Sequence, residues 1–387
     1  MGGTVTTLLP VPRVRAAEPV AHPPRVSGEH RPGFRGPLVD RFGRVHRDLR
    51  ISLTDRCSLR CTYCMPAEGV EWLAKDSILT TDELVRVARV LAELGITEVR
   101  LTGGEPLLRR DVVEVVRRMA EIEGVDGPLD VSMTTNGLKL PQLAEPLREA
   151  GLSRVNISID TLQPERFAAL TRRDRLDDVL AGIDAARTAG FSPLKLNAVP
   201  MRGVNDDEIV DLVQFAVDNG AQMRFIEQMP LDAGHTWSRT EMVDAAEILD
   251  RLSARFTLTE IGERGSSPAQ EYRIDDTATT VGVIASVTAP FCGACDRVRL
   301  TADGQVRNCL FAREESDLLP LLRGSAVAGR GEASVDTDPS GAYRAGPADD
   351  DAIADLLQRT IAGKRAGHGI DDPGFLQPQR PMSAIGG

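Results

Sequence analysis

From about Asp48 to Gln228 the chain alternates six strand-like runs with helical patterns, and no other feature restricts its fold so tightly. The runs are Leu49–Leu53, Glu98–Leu101, Asp130–Thr134, Arg154–Ile159, Pro193–Val199 and Gln222–Glu227. Between them lie helical stretches such as Thr81–Leu94, where Leu84, Val87, Ala88, Leu91 and Leu94 share one face. Others run near Arg110–Glu121, Leu176–Ala189 and Asp206–Asp218. Strand–helix units in series lay their strands parallel, which predicts an α/β fold: an incomplete parallel (βα)6 barrel.

A parallel strand buried on both faces reads as an unbroken apolar run. These strands alternate instead. Leu49, Ile51 and Leu53 flank Arg50 and Ser52; Val99 and Leu101 flank Arg100. Val131 and Met133 enclose Ser132 and lead to Thr134; Val155, Ile157 and Ile159 surround Asn156 and Ser158; Leu194, Leu196 and Ala198 surround Lys195 and Asn197. With the apolar face on the helices, the polar face lines the lumen. That lumen then holds Arg50, Arg100 and Lys195, with Arg224 a further candidate whose strand is ambiguous in phase. Polar residues at exposed strand ends are the alternative for any one position, and a poor one for five strands that agree.

Composition sharpens this. The 387 residues carry a formal net charge of −11, which disfavours indiscriminate nucleic-acid binding, so an anionic ligand needs a local cationic pocket. No apolar run approaches the roughly 20 residues that span a bilayer, and no membrane association is expected. The first forty residues are rich in Pro, Gly and Arg and lack a secretory-signal core; they read as a disordered extension, with a transit peptide as the alternative that their prolines disfavour. After Glu227 a helix is expected near Thr240–Ser253. β-like runs follow around Phe256–Ile261, Gln270–Ile274, Val281–Val287 and Arg297–Thr301, extending the barrel and covering its mouth. Gly324–Asp350, poor in large apolar residues, reads as a flexible insertion before a helix at Asp351–Ala362. The expected organisation is therefore an extension over 1–40, the partial barrel over 41–230, a β-containing extension over 231–323, the insertion over 324–350, and a terminal helix and tail over 351–387.

All six cysteines fall into two groups: Cys57, Cys61 and Cys64 just after the first strand, and Cys292, Cys295 and Cys309 far downstream. Three is an awkward number, since disulfides use an even count and structural zinc wants four ligands. The nearest histidines in sequence are His46 and His235, and the five histidines (with His22, His30 and His368) show no ligand spacing. A cubane iron–sulfur cluster on three cysteines keeps one iron open, and zinc is the alternative. Grouped cysteines without a secretory signal fit a reducing compartment, so a cytoplasmic location is expected.

Cys57-x3-Cys61-x2-Cys64, with the aromatic Tyr63 before its last cysteine, resembles the radical S-adenosylmethionine (SAM) superfamily. The resemblance implies a [4Fe-4S] cluster whose open iron chelates SAM and delivers the electron that yields a 5′-deoxyadenosyl radical. It implies SAM contacts from Tyr63, Gly104 of Thr102-Gly103-Gly104-Glu105-Pro106, Ser158 and Met229. From the residues alone, Gly-Gly after a strand is also an ordinary turn and Met229 also simple core.

The second group, followed by Asp296-Arg297-Val298-Arg299, narrows the likeness. With Arg47–Ser52, Thr54–Cys57, Leu101–Pro106, Thr134–Gly137, Arg224–Glu227 and the terminal Gly386-Gly387, the chain resembles the GTP 3′,8-cyclase family of molybdenum cofactor biosynthesis. That likeness implies a second [4Fe-4S] cluster on Cys292, Cys295 and Cys309, its open iron meeting the guanine of GTP. It implies GTP contacts from Arg50, Arg100, Thr134, Lys195, Arg297 and Arg299, with Arg297 and Arg299 also counted among the catalytic residues beside the first three cysteines. It further implies an electron donor, a downstream enzyme taking the product, and a homodimer. Gly386-Gly387 resemble a tail that folds into the site, although by residue type alone a frayed end is the commoner fate. Another radical SAM enzyme with an auxiliary cluster, or a zinc-stabilised scaffold, is the competing reading. Anaerobic purification distinguishes the scaffold: a brown chain with about eight irons is expected from two cubanes, against a colourless zinc protein.

Overall fold

The computed structural model describes residues 35–232, 234–324 and 349–386. Twelve strands form one sheet: β1 (Asp48–Ser52), β2 (Glu98–Thr102), β3 (Asp130–Thr135), β4 (Arg154–Ser158), β5 (Leu194–Ala198), β6 (Ala221–Ile226), β7 (Leu258–Ile261), β8 (Gln270–Ile274), β9 (Thr280–Ile284), β10 (Arg297–Leu300), β11 (Gln305–Arg307) and β12 (Ser316–Asp317). Their order is β12-β11-β10-β1-β2-β3-β4-β5-β6-β9-β8-β7. The run from β10 through β9 is parallel throughout, and an antiparallel pair flanks each end.

The alternation expected of the strands governs their packing. Leu49, Ile51, Val99, Leu101, Val131, Met133, Val155, Ile157, Leu194 and Leu196 are buried in one core beneath the helices. Each such side chain removed from water contributes about 1.5–3 kcal/mol. The helical layer comprises α1 (Thr81–Glu93), α2 (Val112–Ala120), α3 (Leu140–Glu149), α4 (Pro164–Thr171), α5 (Leu176–Thr188) and α6 (Ile209–Asp218). α1 starts where it does because Thr80 and Glu83 form a reciprocal capping box. α3 and α4 were not expected. Pro146 inside α3 reads as a helix breaker, and α4 is only eight residues long. α7 (Ala245–Ser253) begins later than Thr240 because Asp244 caps it, accepting from Glu247 N at 2.9 Å.

The C-terminal strands do more than cover a mouth. β9 pairs with β6 and β10 pairs with β1, at opposite edges of the six-strand series. Residues 285–296 therefore cross from one edge to the other, carrying Cys292 and Cys295 over the seam. α8 (Leu319–Arg323), α9 (Asp350–Ala362) and α10 (Met382–Ile385) are the remaining α-helices among the described residues.

Two boundaries need correction. The extension expected over 1–40 ends earlier, since Leu38 is fully buried in the core and its N–H bonds Leu94 O at 3.0 Å; residues 1–34 lie outside the described residues. The insertion expected over 324–350 is likewise trimmed. Gly324 is the left-handed residue closing α8, and Asp349 caps α9, while residues 325–348 lie outside the described residues.

Gly182 on α5 tests the packing beneath the site. A Cβ there would stand 2.2 Å from Gly137 O, and Gly137 itself holds a left-handed φ of 81° after β3. Gly182→Ala is expected to destabilise the chain by about 1–3 kcal/mol through overpacking, measured by equilibrium denaturation.

Candidate active site

The first cysteine loop leaves the C-terminal end of β1 and is pinned on two sides. From β2, Gly104 N bonds Thr54 O and Glu105 N bonds Arg56 O, both at 2.8 Å. A Cβ on Gly103 would lie 2.3 Å from Thr54 O, and one on Gly104 2.4 Å from Asp55 O and Arg56 O. The two glycines thus admit the cysteine loop's own backbone. From α4, Thr171 O and Leu170 O accept Arg60 N and Thr62 N, and left-handed Arg172 donates to Arg60 O and Met65 O. Glu105, fully buried, accepts from Leu107 N, Thr135 Oγ1 and Asn136 N, so it braces the loop after β3. Asn136 in turn donates to Ser58 Oγ at 3.1 Å and points Nδ2 at Cys57 Sγ, 3.9 Å away.

All six cysteines are unpaired thiols, and all six line one chamber of about 340 Å³. Burial pushes the Cys57, Cys61 and Cys64 thiols up, Cys64 to about 12. Tyr63, Gly104, Ser158 and Met229 share the chamber wall with this triad. Tyr63 donates its hydroxyl to Asp160 at 2.8 Å, and Val199 N bonds the other oxygen of that carboxylate. Burial lifts the Asp160 carboxyl to about 6. Asp160 stands in the wall unheralded by any motif.

Cations line the same chamber. Register places Arg299, Arg50 and Arg100 side by side on β10, β1 and β2, with Ser132 next on β3. Arg297 lies one step down β10, opposite Asp48. Arg224, whose phase the sequence left open, also faces the chamber, while Met223 and Phe225 enter the core. Thr134 joins this wall. Lys195 does not. It is half-buried outside the chamber wall, beside the lining residue Asn156, where burial and Arg224 hold its amine down at about 8. Burial, then Arg50, lowers Arg100 and Arg299 to about 9.

One carboxylate sits inside this group. Asp48 Oδ2 accepts from Arg50 at 3.1 Å and from Arg297 at 3.2 Å. Burial alone would raise its pKa, but Arg50, Arg297 and Arg100 outweigh burial and hold it well below the usual range. Arg50 Nε and Arg224 Nε find no hydrogen-bond partner among the described residues.

The second triad is built from the seam and from the turn after β11. Arg44 donates to Cys292 O, and the Arg297 guanidinium stacks 4.4 Å over the Phe291 ring. Two histidines that looked incidental are fixed here. His46 is fully buried, and His368 lines the chamber with Nε2 3.0 Å from Ser286 O. The tail is docked rather than frayed. Gly386 O accepts from Arg299, and a Cβ on Gly386 would lie 2.3 Å from Thr102 Oγ1 and 2.6 Å from Ser52 Oγ. Gly387 lies outside the described residues. Among them, no three His, Cys, Asp or Glu side chains are grouped so as to hold a single metal ion.

The fold and the cysteine loop place this architecture among radical SAM proteins, and residues 51–216 match the Radical SAM superfamily. Residues 221–337 match Molybdenum Cofactor Synthesis C. Solved structures of Streptococcus suis SuiB share the fold at 15–16% identity. The SAM-bound form has a TM-score of 0.52, over 70% of this chain and 64% of that one, and the form bound to precursor peptide SuiA has 0.51, over 71% and 63%. Sequence similarity is far higher to proteins named GTP 3′,8-cyclase. That of Streptomyces coelicolor is 54% identical over 90% of this chain and 96% of its own. Those of a Mycobacterium species (53%; 91% and 94%) and Corynebacterium glutamicum (50%; 90% and 89%) follow. The chain belongs to the GTP 3′,8-cyclase family.

Asp48→Asn tests the electrostatics of the wall. Removing the carboxylate leaves buried arginines uncompensated, an expected loss of about 3–5 kcal/mol, visible as a lowered Tm. Added inorganic triphosphate should recover much of that loss in the variant and stabilise the parent less.

Proposed function

We propose that this chain converts GTP to 3′,8-cyclo-7,8-dihydro-GTP, an early step of molybdenum cofactor biosynthesis. One observation carries the reading: two thiol triads and a rank of buried, mutually repelling arginines face a single chamber. Cations in a low-dielectric hollow attract a triphosphate far more strongly than the same cations on a surface.

The donor sets suit polynuclear groups. Each triad offers three thiols, one short of the four ligands a structural zinc takes and enough for three corners of a cubane. On this reading Cys57, Cys61 and Cys64 hold the first [4Fe-4S] cluster, and Cys292, Cys295 and Cys309 the second. When bound, the first cluster supplies the electron that cleaves SAM. Tyr63, Gly104, Ser158 and Met229 hold SAM against that triad. Arg50, Arg100, Thr134, Arg297 and Arg299 orient GTP, and Lys195 adds its charge from outside the wall. Enclosure keeps water from the reacting atoms and holds them close. The same reading assigns 41–230 to the barrel and 231–323 to the extension bearing the second cluster. It calls for an electron donor and an enzyme that consumes the product, and family likeness supports a homodimer in the cytoplasm.

A binding wall of arginines favours a triphosphate over the peptide of a peptide-modifying radical SAM enzyme. Cys292→Ser is expected to retain SAM cleavage and lose cyclisation by at least about 100-fold, roughly the 2.7 kcal/mol that two decades represent. Product analysis after anaerobic reconstitution reads both, and undiminished cyclisation refutes the second cluster.

A further inference from the structure

Among the described residues two buried cations lie outside the chamber wall, Arg307 and Lys364; Arg307 pairs with Glu315, whereas Lys364 faces a cysteine. Lys364, two residues beyond α9, is 3% exposed and absent from the chamber wall. Its Nζ lies 3.4 Å from Cys295 Sγ, 3.2 Å from Cys295 O, 2.9 Å from Arg297 O and 3.0 Å from His46 Nε2. These are acceptors, two of them backbone carbonyls, and an ammonium offers three N–H donors to meet them. The same segment bonds the triad again through the His368 main chain, which donates toward Cys292.

We infer that Lys364 is a positioning residue for the second cluster, a fixed cation behind Cys295 whose charge and hydrogen bond raise that cluster's reduction potential. The inference rests on the two-cluster reading above. Hydrogen bonds to cluster sulfurs and nearby charge are established determinants of cluster potential, and partners behind a ligand tune the metal. Reduction adds negative charge, so an adjacent cation favours the reduced form.

The surroundings of the two triads differ in sign. The first faces the buried carboxyls of Glu105 and Asp160, which oppose charge on Cys57 and Cys61, with Arg60 the cation beside Cys57. The second faces Lys364 and Arg297, and its Cys295 thiol is held down against the upward push of burial, while burial still pushes Cys292 up to about 11. The chamber arginines meet whatever anion enters and lose influence on the sulfurs when it does. Lys364 lies behind the wall, away from any anion in the chamber, and although burial lowers its amine, Cys295 and Cys309 beside it favour the charged form.

The test uses the full chain carrying Cys57→Ala, Cys61→Ala and Cys64→Ala, so that only the second cluster remains. Anaerobic reconstitution should give about four irons; near-zero iron refutes the two-cluster reading and this inference with it. With iron present, a dithionite titration followed by electron paramagnetic resonance gives the midpoint potential. Lys364→Met is expected to move the one-electron equilibrium at least tenfold toward the oxidised cluster, a fall of about 59 mV. Lys364→Arg should return it to within threefold of the parent. A Met variant within threefold of the parent, its iron intact, overturns the inference and leaves the two-cluster reading standing. Should the Met variant fail to hold iron, Lys364→Gln, which keeps a donor without the charge, is judged by the same criterion.

Discussion

Arginines repel one another, and this sheet sets Arg299, Arg50 and Arg100 in register on adjacent strands inside a barrel. The arrangement persists because the apolar faces of the same strands are committed to the core, which leaves the arginines no other direction to point. Hydrophobic alternation thus forces the charges together, and Asp48 offsets part of the cost. Much of the rest of the site follows from that constraint. The tail carbonyl at Gly386 settles on Arg299, and strand pairing rather than loop geometry fixes the spacing of the cations.

The barrel was legible in the sequence because its signal is local. Each strand announces its faces by a period of two, and the observed strands fall within a residue or two of the expected runs. α3 was hidden by Pro146, whose usual effect inside a helix is overridden here, while Pro141 sits in the first turn, where proline is tolerated. The cysteine spacing and Thr102–Pro106 were legible as a site. The reason for the glycines was only half visible, since what they accommodate is the chain at Thr54–Arg56.

What local pattern does not encode is depth and distance. Alternation told which face Lys195 occupies but not that it stands outside the chamber wall. Nothing in Arg297–Arg299 by itself names β1 as the partner strand. His46 and Lys364 meet across most of the chain, and no spacing rule links them. Gly386 has no side chain to betray its docking; its positive φ and the crowding by Ser52 and Thr102 are visible only in three dimensions.

The pairing of β1 with β10 also bears on how the molecule is made. Asp48 emerges early during synthesis, and its partner Arg297 only after nearly the whole barrel has been translated. Until then the nascent chain carries β1 with one row of backbone groups unclaimed, an invitation to any passing strand. The buried Arg50 and Asp48 on β1 discourage strangers at that stage, because an intruding strand would have to bury that charged pair without Arg297 to complete it.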